Sequence, residues 1–541
     1  MAAGKRKGRF DAWVVCAWAA SLITLCPVVV LLLSWQEPAT EIWRHMAENL
    51  LGDLVRNTFL LVAGVVGVTA ILGTSLAWLT SACVFPGRRF FSWALLLPMA
   101  VPTYVLAFVF LGIFDFAGPV QGLLHEHFGP SARFPEVRNA GGMILVMSLS
   151  LYPYVYLLAR GAFLGHAGRL IEAAQSLGSS RKRAFYQVVL PMARPWIAGG
   201  LFLVMMETLA DFGAVSIFNF DTFTTVIYKA WFGFFSIEAA AQLSSILVVL
   251  VLAVLTCEQY FRGGRRYAGS ARTAHKPARV VLAGSQAWLA FLYSLAVFLA
   301  SFGIPFLQLL IWAWKSKSGV LGNFSGYVFN SLLLAAMAAA FVCLIALLLA
   351  VSHRRHPKGI IPVVVRIATL GYALPGTVLA VALVILINRA DASFAALAGW
   401  VTGADVAMIL QGGLLTMLLA YAARFMAVGF NPVQSALQQV TTSMDEAARS
   451  LGVRGMQAVS RIHVPLIRQG ILTAAILVFV DVMKEMPITL MTRPFGWDTL
   501  AVKIFELTSE GEWQAAALPA ALLITAGVVP VALLVRRMEK T

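Results

Sequence analysis

Charged residues are scarce in this 541-residue chain: Asp, Glu, Lys and Arg make up 12% of it, about half of their share in a typical soluble domain. Hydrophobic residues make up 60%, and the mean hydropathy is +0.82. This balance excludes an ordinary soluble globular protein. It is typical of a protein that crosses a membrane many times.

Two kinds of chemical site are also missing from the sequence. The five cysteines have neither the spacing of a metal site nor that of a disulfide framework; they are Cys16, Cys26, Cys83, Cys257 and Cys343. The phosphate-binding pattern G-x-x-x-x-G-K-[ST] does not occur, so no nucleotide site of that kind is expected.

The net charge of +16 raises the question of nucleic-acid binding. The basic residues, however, lie between apolar runs, where a membrane protein has its cytoplasmic loops. With the N-terminus inside, roughly 26 Lys and Arg fall in cytoplasmic segments and roughly 10 in external ones, which is the positive-inside bias. We expect the chain to contact membrane lipid and not to bind nucleic acid. Both termini are expected in the cytoplasm.

Twelve apolar runs are long enough to span a bilayer. The first, Ala12 to Leu33, is longer than a signal-peptide core and lacks a clear cleavage site, so we interpret it as a retained helix. The others are predicted at 57–82, 92–113, 143–163, 195–218, 243–260, 287–314, 329–352, 361–387, 405–428, 467–490 and 515–536. The fold class is all-α and polytopic, with six helices in each half.

The two halves repeat one another. The pattern E-A-A-x-x-x-G-x9-[IV]-x-[LV]-P occurs twice with a constant offset of 274. Its residues are Glu172, Ala173, Ala174, Gly178 and Pro191 in the first copy, and Glu446, Ala447, Ala448, Gly452 and Pro465 in the second. Since each half has an even number of helices, the copies have the same topology, as a parallel repeat about an axis along the membrane normal.

Further matches extend the repeat and set its boundaries. Asn57 matches Asn330, and Pro102 matches Pro375, both at an offset of 273. We predict a first repeat at 1–262 with a loop at 164–194, a basic cytoplasmic linker at 263–286, and a second repeat at 287–541 with a loop at 429–466.

Each loop is predicted to form a helix-turn-helix on the cytoplasmic surface. Glu, Ala and Gln favour a short helix, and Gly178 suits a left-handed helix end. Ser179 or Ser180 can cap the following helix, and Pro191 marks the return to the membrane. The second copy has Val453 and Arg454 in place of the serines, so we expect its cap to be weaker.

Acidic residues interrupt the apolar helix after each loop. Glu207 and Asp211 in the first half match Asp481 and Glu485 in the second, and each pair is spaced i, i+4, on one helix face. A carboxylate at membrane depth costs about 2.5–3.5 kcal/mol and needs a partner: a cation, Lys484 or a water-filled cavity. One hypothesis is a substrate pathway lined by the four acids and Lys484, in which the acids transiently bind a metal ion. The alternative is that they only hold neighbouring helices together.

The doubled pattern resembles the cytoplasmic coupling loop of ABC-importer permeases. The strings E-T-L-A-D-F-G-A-V from Glu207 and D-V-M-K-E-M-P from Asp481 resemble those of ferric-iron permeases. The resemblance implies a type I permease of the bacterial inner membrane. It implies a cytoplasmic ABC ATPase dimer that uses the ATP, and a periplasmic or lipid-anchored substrate-binding protein. The chain itself would then be a transport subunit that is not an enzyme and binds no cofactor. Glu172 and Glu446 would each pair with a basic residue of the ATPase, and ferric iron would be the substrate.

Two alternatives remain open at this point. The same kind of importer could carry thiamine or a polyamine, whereas the four acids would repel an anion such as sulfate. A proton-driven secondary transporter is a second alternative, because buried acids can relay protons. External segments rich in aromatic residues, which include Trp231, Trp497 and Trp513, could form a docking surface for an external binding protein. Aromatic belts at the membrane interface, however, account for most of these aromatic residues.

Overall fold

The computed structural model describes residues 12–36, 40–262, 279–316, 324–402, 412–453 and 455–540. Within these ranges, twelve helices are long and apolar enough to cross a membrane. The predicted all-α polytopic class and the number of spans are confirmed. The first 16 residues of the predicted linker, 263–278, lie outside the described residues.

The helices divide evenly between the two halves of the sequence. The first half contains α1 (Ala12–Leu33), α2 (Thr40–Asn49), α3 (Leu51–Ala82), α4 (Arg88–Ala94), α5 (Thr103–Phe114), α6 (Pro119–Phe128), α7 (Ala140–Ser176), α8 (Arg181–Ala184), α9 (Leu190–Ala210), α10 (Gly213–Ile217), α11 (Phe223–Tyr228) and α12 (Ile237–Arg262). The second contains α13 (Ser285–Phe298), α14 (Ile304–Lys315), α15 (Phe324–Arg355), α16 (Ile361–Thr369), α17 (Gly376–Thr402), α18 (Leu414–Leu437), α19 (Thr442–Ser450), α20 (Met456–Ala458), α21 (Val464–Lys484), α22 (Pro487–Thr492), α23 (Leu500–Ser509) and α24 (Trp513–Lys540). Strands β1 (Cys83–Val84) and β2 (Val280–Val281) form a short parallel pair.

The spans predicted at 92–113 and 361–387 are wrong in their starts. A short helix, α4 or α16, is followed by a 3-10 turn, and the membrane helix begins only at Thr103 or Gly376. Pro102 and Pro375 explain the break, because a proline disfavours helical geometry in the preceding residue and cannot donate a backbone hydrogen bond. The two breaks occur at matching positions of the repeat.

In three helices, a π-helical turn precedes a proline and accommodates it. These turns are Phe185–Val189, Leu299–Gly303 and Val459–His463, and each is followed two residues later by Pro191, Pro305 or Pro465. The wider turn relieves the clash and the lost hydrogen bond that a proline causes inside a helix. Thus Pro191 and Pro465 lie just inside their membrane helices.

The matched asparagines make matched contacts. Asn57 donates its side-chain amide to the carbonyl of Asp221 at 3.3 Å. Asn330 donates in the same way to the carbonyl of Asp498 at 3.2 Å. Each bond ties the start of a membrane helix to a loop that follows the acidic helix of the same half, so the sequence repeat is also a repeat of contacts.

The chain forms two compact units that do not coincide with its two halves. One unit holds α1, the first part of α12, and α15 to α22; the other holds α2 to α10, the rest of α12, α13, α14 and α24. Helix α1 packs against α15, α16 and α17, while α14 packs against α24 and α5. Helix α1 of the first half therefore packs with helices of the second half, and α14 of the second half packs with α5 of the first half. The boundaries at 1–262 and 287–541 stay a prediction about the sequence repeat.

Small residues allow α1 to pack closely. Ala17 and Ala20 are buried in a core with Ala346, Leu349 and Ala350 of α15. Alanine lets helix backbones approach one another, which is how helices associate where lipid supplies no hydrophobic drive. The apolar run predicted from the sequence is thus also a helix-packing surface.

Candidate coupling loops and intramembrane carboxylates

The first coupling loop ends a long membrane helix. Glu172 is exposed near the C-terminus of α7, and Gly178 follows with φ of 83°. The amide of Ser179 donates to the carbonyl of Ala174 at 2.9 Å, and that of Gly178 to Gln175 at 2.9 Å. These two bonds form a Schellman motif, so the predicted left-handed glycine cap is confirmed.

The second loop repeats this geometry on a separate helix. Glu446 is exposed on α19, and Gly452 has φ of 80°. The amide of Val453 donates to the carbonyl of Ala448 at 2.9 Å. A side chain at either glycine would be strained in this left-handed conformation, which explains why both copies have glycine there.

The two loops also share a pattern of exposure. The first alanine of each motif is exposed and the second, Ala174 or Ala448, is buried. Leu177 is 86% exposed and Leu451 81%. Neither leucine was predicted as a site residue, although an apolar residue at the same place in two polar loops is a visible signal in the sequence. Each loop thus presents a carboxylate beside an exposed apolar side chain.

The helices after the glycines are capped differently. Ser180 accepts a hydrogen bond from the amide of Arg183 at 3.4 Å, whereas α20 begins after Gly455 without a side-chain cap. The expectation of a weaker cap in the second copy is confirmed. The second loop must therefore be held in place by other contacts.

Those contacts form an ion-pair network around Asp445. Arg354, at the end of α15, binds the Asp445 carboxylate at 2.8 Å and donates to the carbonyls of Leu437 at 2.8 Å and Val440 at 2.7 Å. His463 Nε2 lies 2.8 Å from Asp445 Oδ1. Partial burial would raise the pKa of Asp445, but the bonds from His463 and Arg354 outweigh it and lower that pKa. The carboxylate therefore stays charged at neutral pH.

Arg355 extends this network to the other flank of the loop. It donates to the carbonyl of Gly455 at 3.3 Å, and its guanidinium lies 4.6 Å from the ring centre of Trp13. We call Arg354, Arg355, Asp445 and His463 the clamp. The first half has no equivalent, because Ser81, Ala82, Ile171 and Val189 stand at the four matching positions. The clamp was not predicted from the sequence. Its visible sign there is an acid and a histidine in the motif region, Asp445 and His463.

The intramembrane acids mark breaks in their helices. Helix α9 ends at Ala210, and Asp211 Oδ1 accepts from the amides of Ala214 at 3.0 Å and Val215 at 3.2 Å. Helix α21 ends one residue before Glu485, whose carboxylate accepts from the amide of Ile488 at 3.2 Å. The continuous spans predicted at 195–218 and 467–490 are therefore wrong. In each half the second acid caps a new short helix, α10 or α22.

The two capping acids have different partners. Asp211 accepts a hydrogen bond from the hydroxyl of Thr103 on α5. Glu485 forms an ion pair with Arg424 of α18 at 3.2 Å, and Arg424 also donates to the carbonyl of Leu374 at 3.0 Å. The sequence pointed to Lys484 as an ionic partner and missed Arg424, which is far away in the chain. Lys484 is a partner of one of the four acids, as predicted, because it interacts electrostatically with Asp481.

The size of each acid matches the residue that faces it. Gly376 occupies the repeat position of Thr103, and a Cβ at Gly376 would lie only 2.5 Å from a Glu485 carboxylate oxygen. The longer acid, Glu485, therefore faces a glycine and pairs with an arginine, whereas the shorter acid, Asp211, accepts a hydrogen bond from a threonine. In each half one carboxylate is built into the packing around a helix break.

Replacing Thr103 with valine is expected to destabilise the protein by about 1–3 kcal/mol, because Asp211 loses a donor in a partly buried site. Thr103→Ser keeps the hydroxyl and serves as the matched control. Thermal unfolding of the purified proteins in detergent measures the difference. Equal midpoints for Thr103→Val and the unchanged protein would contradict the assigned bond.

The proposed metal ligands fall in separate units. Glu207 and Asp211 belong to one compact unit, and Asp481 and Glu485 to the other. Within either unit, the described residues bring no three His, Cys, Asp or Glu side chains together in a way that could hold a metal ion. Metal binding by the four acids stays a prediction.

Comparison with known proteins agrees with the doubled architecture. The family model described as "Binding-protein-dependent transport system inner membrane component" matches residues 70–257 and again 343–541. The chain is 27% identical to the Fe(3+)-transport system permease protein FbpB 2 of Haemophilus influenzae, over 92% of this chain and 93% of that protein. It is 24% identical to the putative ferric transport system permease protein FbpB 1 of the same organism, over 82% and 70% of the two chains. The molybdenum transport system permease protein ModB of Escherichia coli matches 36% of this chain at 29% identity.

Proposed function

Since the chain belongs to the family of binding-protein-dependent transport system inner membrane components, we propose that it is the transmembrane permease of an ATP-driven importer of ferric iron. The observation that carries the proposal is the pair of geometrically equal coupling loops, in a chain of twelve membrane helices. The relatives named as ferric transport permeases, which match most of the chain, support the choice of substrate.

ATP hydrolysis belongs to a partner, an ABC ATPase dimer on the cytoplasmic side. Glu172 and Glu446 would each pair with a basic residue of one ATPase subunit. Leu177 and Leu451 would bury their exposed side chains against the same subunits, because removing apolar surface from water is favourable. Rearrangement of the ATPase dimer would then move α7 and α19 directly, because the loops are the ends of these helices.

The substrate pathway would be lined by the intramembrane acids. Carboxylate oxygens are suitable ligands for a hard cation such as ferric iron. Because Asp211 and Glu485 cap the helix breaks, Glu207 and Asp481 are the two of the four acids whose charge can be removed without removing a cap of α10 or α22. The same acids would repel an anion such as sulfate, which argues against an anionic substrate.

The location follows from the same proposal. The chain would lie in the bacterial inner membrane with both termini in the cytoplasm. A periplasmic or lipid-anchored substrate-binding protein would deliver the iron from the opposite side.

Uptake of radiolabelled ferric iron tests the function. The chain would be expressed with its ATPase and its binding protein in iron-starved cells that lack their own importer. We expect uptake that requires all three components and stops when ATP is depleted while the proton gradient is held. No uptake by an assembled complex would favour thiamine or a polyamine as substrate, and uptake that continues without ATP would favour a proton-driven transporter.

Changing Glu207 to Gln together with Asp481 to Asn is expected to abolish most iron uptake while assembly with the ATPase continues, because the substitutions remove charge without removing volume. Glu510→Gln, which removes an exposed carboxylate outside the proposed pathway, is the control. Co-purification of the ATPase and iron uptake are measured side by side. Full uptake by the double variant would assign both acids a structural role only.

A further inference from the structure

A cleft of about 480 Å³ lies at the end of α5, beside α6 and the segment 129–139. Its lining includes Phe114, Arg133, Phe134, Arg138 and Trp513. All of these residues belong to one compact unit. The coupling loops and the intramembrane acids do not contribute to it.

The wall of the cleft is held rigidly. Gln121 of α6 is only 3% exposed. Its side chain accepts from the amide of Phe134 at 2.9 Å and donates to the carbonyl of Ala132 at 2.6 Å. At the other end of the segment, Asn139 donates to the carbonyl of Glu136. A preformed surface loses little conformational entropy when a partner binds.

Aromatic rings form the apolar part of the cleft. The rings of Phe114 and Phe134 stack with centroids 4.6 Å apart. The Trp513 indole donates to the Asp115 carboxylate at 3.3 Å and stacks on Phe108. Aromatic and arginine side chains are the residue types enriched in protein interfaces and in their energetic centres.

The rim of the cleft carries an excess of guanidinium groups. Arg133 and Arg138 are exposed, and among the described residues neither has an ion pair. The Asp115 carboxylate is already engaged by Trp513 and by the amide of Phe116. Two guanidinium groups and the single carboxylate of Glu136 therefore remain to meet a partner. The planar fork of arginine suits bidentate binding of a carboxylate.

The cleft and the first coupling loop lie on opposite sides of the membrane. Helix α7 starts at Ala140, directly after the cleft segment, and ends at Ser176 beside the coupling motif after 37 residues. At about 1.5 Å per residue it is about 55 Å long, well beyond the bilayer core of about 30 Å. The ATPase therefore cannot be the occupant of the cleft.

We propose that this cleft is a docking site for the substrate-binding protein of the importer. Arg133 and Arg138 would pair with carboxylates on one surface loop of that protein, and Phe134 and Trp513 would pack against the same loop. The proposal rests on the proposed function, because it takes the binding protein as the partner on that side of the membrane.

Binding measurements on the intact complex test the docking site. The permease–ATPase complex in lipid nanodiscs would be titrated with fluorescently labelled, iron-loaded binding protein at low and at high salt. The variant Arg133→Glu/Arg138→Glu is expected to bind at least about tenfold more weakly than the unchanged complex, with a smaller salt dependence, because like charges would then face each other.

A matched variant controls for the change in overall charge. Arg44→Glu/Arg56→Glu reverses two exposed arginines in α2 and at the start of α3, and we expect it to bind almost as tightly as the unchanged complex. Basal ATP hydrolysis, measured on every preparation, confirms that the variants assemble. The milder change Arg133→Gln/Arg138→Gln is expected to give an intermediate affinity.

Two results would overturn the docking site: unchanged affinity of the Arg133→Glu/Arg138→Glu variant, and equal weakening by the two charge-reversed variants. If the affinity is unchanged and citrate binds to the complex alone at Arg133 and Arg138, the cleft holds a small polycarboxylate. Failure of the proposed function is a separate outcome, seen as absence of iron uptake by the unchanged three-component system.

Discussion

Replacing Arg424 with leucine is expected to destabilise the protein by about 3–5 kcal/mol, because it leaves a buried carboxylate without its ionic partner. Glu485 is only 7% exposed and its pair with Arg424 spans 3.2 Å. The amide of Ile488 would still donate to Glu485, but one backbone bond does not replace a full positive charge. The midpoint of thermal unfolding in detergent measures the loss.

A second substitution identifies the cause of that loss. In Arg424→Leu/Glu485→Gln no charge is left behind, and the amide oxygen can still cap α22. Replacing both partners of a buried pair is often close to neutral, so the double variant should recover most of the lost stability. If the single and the double variant unfold at the same temperature, the ion pair is not the source of the effect.

Replacing Arg354 with alanine is expected to loosen the second coupling loop and leave the first unchanged. Arg354 joins Asp445 of α19 to the carbonyls of Leu437 and Val440. Hydrogen bonds to charged groups contribute about 1.5–3 kcal/mol each, so the ordered loop loses several kcal/mol. Hydrogen exchange in residues 442–453 should speed up, while exchange around Glu172 should not.

The functional result of the same change follows from the coupling proposal. We expect iron uptake to fall sharply, because the loop could no longer pass movement of the ATPase to the membrane helices. Arg366→Ala, which removes an exposed arginine of α16 in the same unit, is the control and should transport normally. Normal transport by Arg354→Ala, with faster exchange at 442–453, would mean that coupling does not depend on the clamp.

The two loops have the same backbone geometry, but the clamp ties the second loop to a neighbouring helix. Gly178 and Gly452 end their helices in the same way, and Glu172 and Glu446 are both exposed. Charged side chains tie the second loop to α15, whereas Ser81 and Ala82 stand at the matching positions of α3. The two ATPase subunits would therefore meet one loop that has the clamp and one that lacks these four residues.

The corrections to the predicted spans have a common origin. Hydropathy averages over a window, so the short helices before Pro102 and Pro375 merged with the membrane helices that follow them. The same averaging concealed the breaks at Asp211 and Glu485, where apolar sequence continues on both sides. The prolines and acids were visible in the sequence, but their effect on the backbone is local and too short for a window of spanning length.

The sequence by itself determined the membrane class, the number of spans, the repeated motif and the glycine caps of both loops. These features depend on local quantities: the length of an apolar run, the spacing of a motif and the backbone freedom of glycine. Only the tertiary structure decided that α1 packs with helices of the other half, that Glu485 pairs with Arg424, and that Arg354 reaches Asp445. A hydropathy profile shows that a helix lies in the membrane. It does not show which neighbour the helix packs against or which way its polar side chains face, because apolar surfaces pack with little selectivity and the partners are far apart in the chain.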